Sequence, residues 1–368
     1  MLKNSGKIIL DEWNLFPSDF FVYICNFKKI GKMKRHRHLI WSLLFGVLLL
    51  TSAVLATFVG VIQIPADVLW HSFLHKFGLA GSAAVPEFYE ITLWQLRLPR
   101  IVMSLLAGAS LAICGCVFQS IFRNPICDPY ILGISSGASL GATIAIIVGW
   151  DTFVFGITLP ALVTAILTLL LIMGIARLRG RHSTQTLLLT GIALNFFISA
   201  VITLLMVVNQ QEIHKIFFWT MGSVATVSWR DIACLLPVMA IVIIILYRYA
   251  KELNILQLGT ESAQSLGVNA QRTTHVTLIA SSVLIGVVVS FCGVIGFIGL
   301  IVPHIARLIF GSDNRHLFTY SLFFGALFLL VADTLARTLA APAELPVGSI
   351  TALAGAPYFI YLLLRKKQ

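Results

Sequence analysis

Three arginines open the chemical reading of this sequence. Arg97 and Arg100 are three residues apart and so share one face of a helix. Arg337 follows far downstream, at the end of an apolar run. A guanidinium grips a carboxylate through two parallel hydrogen bonds, so these cations suit a receptor for acidic side chains. The plainer alternative is that they anchor helix ends at a membrane surface. Asp333 is set deep inside an apolar run. It lies four residues before Arg337 on the same helical face and reads as a paired structural charge. No Gly-x-x-x-x-Gly-Lys-Ser/Thr phosphate cradle occurs, no His-Glu-x-x-His pair and no nucleophile elbow. The six cysteines lack metal spacing. The chain therefore offers no catalytic residue, no metal site and no cofactor site, and energy for any transport must come from another protein.

These residues are held by apolar elements. Of 368 residues, 58% are hydrophobic and 11% charged, with a mean hydropathy of +0.93. Soluble domains carry about 25% charged residues, which excludes a water-soluble enzyme, a nucleic-acid module and a disordered chain. Apolar windows fall at 39–62, 101–121, 131–149, 153–176, 186–208, 232–247, 274–292, 295–310, 317–337 and 349–364. A transmembrane helix needs roughly 20 such residues. The expectation is an all-α integral membrane protein of about ten transmembrane helices over 39–368, with 295–310 short enough for a half-span. With the N-terminus inside, 20 of the 26 basic residues fall on the cytoplasmic side and six outside, which places both termini in the cytoplasm. Residues 1–38 form a basic cytoplasmic extension, and Met33 before Lys-Arg-His-Arg-His reads as a natural start, leaving 1–32 outside the fold.

Smaller patterns refine this picture. Gly133, Gly137, Gly141 and Ala145 leave one helix face nearly bare, as do Gly108 and Ala112; such faces pack closely or wall a pathway. Cys114-Gly115, Pro125 and Gly133 recur 178 residues later as Cys292-Gly293, Pro303 and Gly311, a weak echo that would suit an inverted repeat. The loop 250–272 is too polar to span. Within it, Gly259 and Gly267 bound a short segment with Leu258, Ala263 and Leu266 on an apolar side and Glu261 among the polar residues, a helix suited to docking or a plain surface turn. Thr190, Asn195, Ser199 and Thr203, with Ser349 and Thr351, would make a mildly polar path. Asn124-Pro125 and Thr184-Gln185 lie beside helix ends, where their side chains can cap free backbone groups.

Several stretches together resemble the FecCD-type permeases of bacterial ABC importers for iron-siderophores, haem and vitamin B12. They are Trp94-Gln-Leu-Arg-Leu-Pro-Arg100, Asn124-Pro-Ile-Cys-Asp-Pro-Tyr-Ile-Leu-Gly133, Ser136-Gly-Ala138, Leu189-Thr-Gly-Ile-Ala193 and Trp219-x-x-Gly-Ser223 with Trp229. Gly296-Phe-Ile-Gly-Leu-Ile-Val-Pro-His304 with Arg307, Ala332-Asp333 with Arg337, Glu344-Leu-Pro-Val-Gly348 and Gly355-Ala-Pro357 complete the set. The resemblance implies a ten-helix inner-membrane subunit that pairs with a second copy or a paralogue around a central path. Two ATP-binding subunits, which hold ATP and Mg, would dock below and a periplasmic or lipid-anchored binding protein above. By the same resemblance, Arg97, Arg100 and Arg337 match positions that pair with glutamates of the binding protein. Leu258 to Gly267 matches the loop that meets the ATPase, and Asn124, Ile126, Thr184 and Gln185 match a cytoplasmic gate. Gln264 stands where many relatives carry arginine, and Cys127 where a small apolar residue is usual. A self-sufficient secondary transporter or channel is the competing reading.

Overall fold

Lipid offers no hydrogen-bond partners, so an apolar run closes its backbone bonds internally and becomes a helix. The computed structural model describes residues 35–76, 78, 86–178 and 184–365, and no strand occurs among them. The expected extension therefore lies, up to residue 34, outside the described residues. In chain order the helices are α1 (Arg35–Phe58), α2 (Ala66–Lys76), α3 (Glu87–Ile121), α4 (Ile134–Ile147), α5 (Thr158–Leu178), α6 (Thr184–Val208) and α7 (Ile213–Thr220). Then follow α8 (Trp229–Arg248), α9 (Ala250–Leu256), α10 (Thr260–Ser265), α11 (Ala270–Cys292), α12 (Ile298–Phe310), α13 (Asn314–Ala336) and α14 (Val347–Arg365).

Each of the ten apolar windows holds a helix. Seven are long and apolar enough to cross a membrane, and α4, α12 and α14 are shorter apolar helices. The 131–149 window shrinks because Gly133 takes a positive φ of 72° and Pro129–Leu132 forms a separate 3-10 turn capped by Asp128. The 295–310 window gives α12, whose 13 residues span about 20 Å, less than the roughly 30 Å of a bilayer core. The 101–121 window begins earlier, at Glu87, in a stretch whose Glu87, Glu90, Gln95 and Arg97 mask it as polar. There the helix widens into a π turn over Thr92–Arg97 just before Pro99. Proline has no N–H to donate, and a wider turn accommodates the missing bond. Four helices lie outside the apolar windows: α2, which carries Asp67, His71, His75 and Lys76, α7, only eight residues long, and α9 and α10 within the polar loop 250–272. The echo at an offset of 178 does not correspond to a structural repeat. Cys114 lies in mid-helix while Cys292 ends one, and Gly133 precedes α4 while Gly311 terminates α12.

The packing centre is α3 against α13, which run antiparallel in contact along most of their length. Their backbones touch where Gly108 meets Gly325: a Cβ on either would collide with the other's carbonyl oxygen. Further along α3, Gly115 meets the backbone of Gly299 on α12 in the same way. The Gly137–Gly141 stripe of α4 is filled by Thr164, Thr168 and the Pro160 carbonyl of α5, so that bare face is a packing face. Around this centre, α1 and α6 are peripheral and leave long apolar side chains such as Leu43, Val47, Leu50, Phe196 and Phe197 exposed. Replacing Gly108 by leucine should lower the stability of the detergent-solubilised protein by about 1–3 kcal/mol, the usual range for overpacking. Gly46→Leu, at a position with open space around it, should leave thermal unfolding unchanged; equal effects would contradict the helix contact.

Candidate functional site

The three arginines converge on one end of the α3–α13 pair, and all three are buried. They are not the free cations that their spacing suggests, because a buried guanidinium needs acceptors inside the chain. A helix leaves its last four carbonyls without partners, and two of the arginines use those of α1. Arg97 donates from Nη1 to the Thr57 carbonyl of α1 and from Nη2 to that of Ile62 in the loop that follows it, both at 2.6 Å. Arg337 donates from Nη2 to the Ala56 carbonyl at 2.8 Å and to Thr334 Oγ1 at 3.3 Å. Cations at a helix C-terminus also complement its dipole. Arg100 takes the carboxylates. Its Nε donates to both oxygens of Asp333 at 2.9 and 3.1 Å, and its Nη1 to both oxygens of Glu344 at 2.9 and 3.0 Å. Asp333 is thus paired, as its depth suggested, but with Arg100 rather than with Arg337 one turn away. Three cations face two anions here, leaving a net charge of +1. Arg337 Nε has no partner among the described residues, and the Glu344 side chain is 42% exposed, so the cluster has an open edge.

The opposite end gathers the polar loops. Gly259 and Gly267 bound α10, both at positive φ, 118° and 80°, where a Cβ would be strained. The segment is a short helix of six residues. Ala263 is buried and turns it inward, while Leu258 and Leu266 are exposed, as are Glu261 and Gln264. Among the described residues, Leu258 and Leu266 thus present an uncovered apolar surface. Between α3 and α4, Asn124 accepts the Ile126 N–H at 3.1 Å and so caps its own turn, and Asn124 is exposed. Asp128 caps the next turn by accepting the Tyr130 N–H at 2.8 Å, and burial pushes its carboxyl up. The Cys127 thiol is pushed up to about 12 by burial, which leaves it neutral and inert. Asp313, at the head of α13, is held well below the usual carboxylate range by hydrogen bonds from Arg315. Gln185 is exposed at the start of α6, and the Thr184 side chain lies outside the described residues.

The polar path residues divide. Ser199 and Thr203 are exposed on α6, Thr190 and Asn195 are half-buried, and Ser349 is half-buried at the start of α14. Thr351 is wholly buried and donates to the Gly348 carbonyl, so it faces protein within this chain. Spacing could not reveal Glu344 as the second carboxylate on Arg100, since 244 residues separate them. Among the described residues no cluster of His, Cys, Asp and Glu is arranged to hold a metal.

The FecCD transport family model matches residues 34–365. The chain belongs to this family. It is 44% identical over 294 residues to the cobalamin import system permease protein of Halobacterium salinarum, covering 80% of this chain and 79% of that one. It is 35% identical over 334 residues to the hemin transport system permease protein of Yersinia pestis, covering 89% and 96%. Among solved structures it resembles an inward-facing conformation of a metal-chelate type ABC transporter, with a TM-score of 0.76 and 30% identity over 88% of this chain and 98% of that one. This FecCD chain is accordingly a multi-pass membrane protein of the permease type.

Its arginine cluster gives a direct test. Removing one partner of a buried ion pair costs about 3–5 kcal/mol, whereas replacing both by apolar residues is often neutral. Asp333→Leu should therefore lower stability by about that amount, and Arg100→Leu with Asp333→Leu should recover most of it in thermal unfolding. A double variant no more stable than the single one would show that the pair is not the element that matters.

Proposed function

We propose that this chain is the permease subunit of an ABC importer that carries a metal chelate, of the iron-siderophore, haem or cobalamin kind, across the inner membrane. The observation that carries this reading is the FecCD match over the whole membrane-spanning part of the chain. The two ends of the bundle fit the roles such a subunit needs. Arg100 to Ser120 is 20 residues of α3, about 30 Å at 1.5 Å per residue, so the arginine cluster and α10 lie on opposite faces. With both termini cytoplasmic, the cluster faces outward and offers a net positive, partly open site to glutamates of a binding protein. The Arg337 Nε, which lacks a partner among the described residues, and the exposed edge at Glu344 are where an incoming carboxylate would enter.

On the inner face, α10 presents Leu258 and Leu266 to the ATP-binding subunit, which holds the ATP and Mg; this chain holds no cofactor and hydrolyses nothing. A second copy or a paralogue packs across α6, where Thr190, Asn195, Ser199 and Thr203 interrupt a largely apolar helix. In the dimer, Thr190, Asn195, Ser199, Ser349 and Thr351 belong to the path wall, and Asn124, Ile126, Thr184 and Gln185 to its inner gate. Thr351 reaches the path only through movement of α14, since its hydroxyl is buried. The self-sufficient transporter is not favoured, because the one carboxylate set deep in a helix, Asp333, is committed to Arg100.

Reconstitution in proteoliposomes tests the reading. Uptake of a ferric siderophore, haem or cobalamin should require ATP, the nucleotide-binding chain and the binding protein together. Uptake by this chain alone would contradict it.

A further inference from the structure

The α3–α13 pair is tied at three levels. At the arginine end, Arg100 holds Asp333. In the middle, Gly108 and Gly325 bring the two backbones into contact, and Cys116 Sγ lies 3.1 Å from Ser321 Oγ. At the far end, the Asn314 side chain, fully buried, donates from Nδ2 to Ser120 Oγ at 3.1 Å. Gln119 fastens the same end to α12: its Nε2 donates to the Leu300 carbonyl at 3.1 Å, and its Oε1 accepts from Arg307 Nη2 at 3.2 Å.

The segment leading into α10 grips this end directly. Asn254, on α9, donates from Nδ2 to Asp313 Oδ1 at 2.7 Å and accepts the Asn314 backbone N–H on its Oδ1 at 2.9 Å. One amide thus meets both the capping side chain and a free N–H at the start of α13. Three residues on, Gln257 donates from Nε2 to Ser120 Oγ at 3.2 Å. Leu258 follows at once. The exposed docking helix is therefore hung from the far end of a pair whose near end is the arginine cluster.

We propose that α3 and α13 act as one strut between the two faces, and that Asn254 and Gln257 are positioning residues that latch the α10 segment to it. Occupation of the arginine cluster then changes the pose of α10, and with it the ATPase beneath, through a tilt of the strut as a unit. The proposal rests on the reading of α10 as the ATPase contact and of the arginine cluster as the binding-protein contact. Neither latch residue is among the side chains placed in those contacts.

The test exchanges donor and acceptor in the latch of the reconstituted transporter. Asn254→Asp sets a second carboxylate against Asp313 and removes the donor. The pair Asn254→Asp with Asp313→Asn restores one donor and one acceptor with the roles reversed. The readouts are co-purification of the ATPase and the fold-stimulation of ATP hydrolysis by the binding protein. Asn254→Asp should still assemble but lose roughly fivefold or more of the stimulation, the scale of ordinary coupling between sites, and the exchanged pair should regain it. Gln257→Leu, which removes the second bond without adding charge, should shift stimulation in the same direction. Stimulation equal to the parent in Asn254→Asp and Gln257→Leu would overturn the latch, as would an exchanged pair no better than Asn254→Asp. A parent transporter with no stimulation at all would instead contradict the functional reading beneath it.

Discussion

A guanidinium withdrawn from water at the end of a membrane helix must find its acceptors inside the protein, and Arg100 finds them 233 and 244 residues away. That constraint organises much of the molecule. By holding Asp333, Arg100 fixes α13 against α3 in one register, and that register lets Gly108 and Gly325 meet. The contact of two bare backbones is possible only where both helices lack a Cβ at the crossing. Arg97 and Arg337, drawn into the same cluster, occupy the last carbonyls of α1 and so fasten a helix that otherwise faces mainly outward. The charges are therefore structural before they are anything else. A binding protein docking there, as proposed, would meet a network already satisfied almost everywhere among the described residues, with Arg337 Nε and Glu344 at its open edge.

The opposite face is built by different means. Short polar side chains at helix ends, Asp128, Asn254, Asn269 and Asp313, accept free N–H groups and let the chain turn without leaving the backbone unsatisfied. The two glycines around α10 provide angles that place Leu258 and Leu266 outward. Because Asn254 of α9 and Gln257 just after it are bonded to the start of α13 and to α3, this polar face is joined to the helix core and is more than a set of independent loops.

Most of the fold was legible in the sequence, because hydropathy reports what lipid demands of each segment: all ten windows are helices. What hydropathy could not show were the polar first turns of α3 and the helices α2, α7 and α9, which are short or carry charged residues. The candidate sites were legible in part. Glycine spacing disclosed α10, and three arginines marked a cluster. Their partners were hidden, since helical spacing links Asp333 to Arg337 one turn away, whereas the fold gives it Arg100 from a distant helix. Asn254 and Gln257 are ordinary polar residues in a polar loop, and only the packing of three helix ends shows what they hold.

The strut requires α3 and α13 to move as one body. Spin labels at Leu96 and Leu335, exposed at one end, and at Arg123 and Arg315, exposed near the other, report this directly by pulsed electron resonance in the assembled transporter. Both distances should be the same with and without ATP, while the distance between the two Gln185 positions of a dimer changes. A nucleotide-dependent change in either α3–α13 distance would contradict the strut.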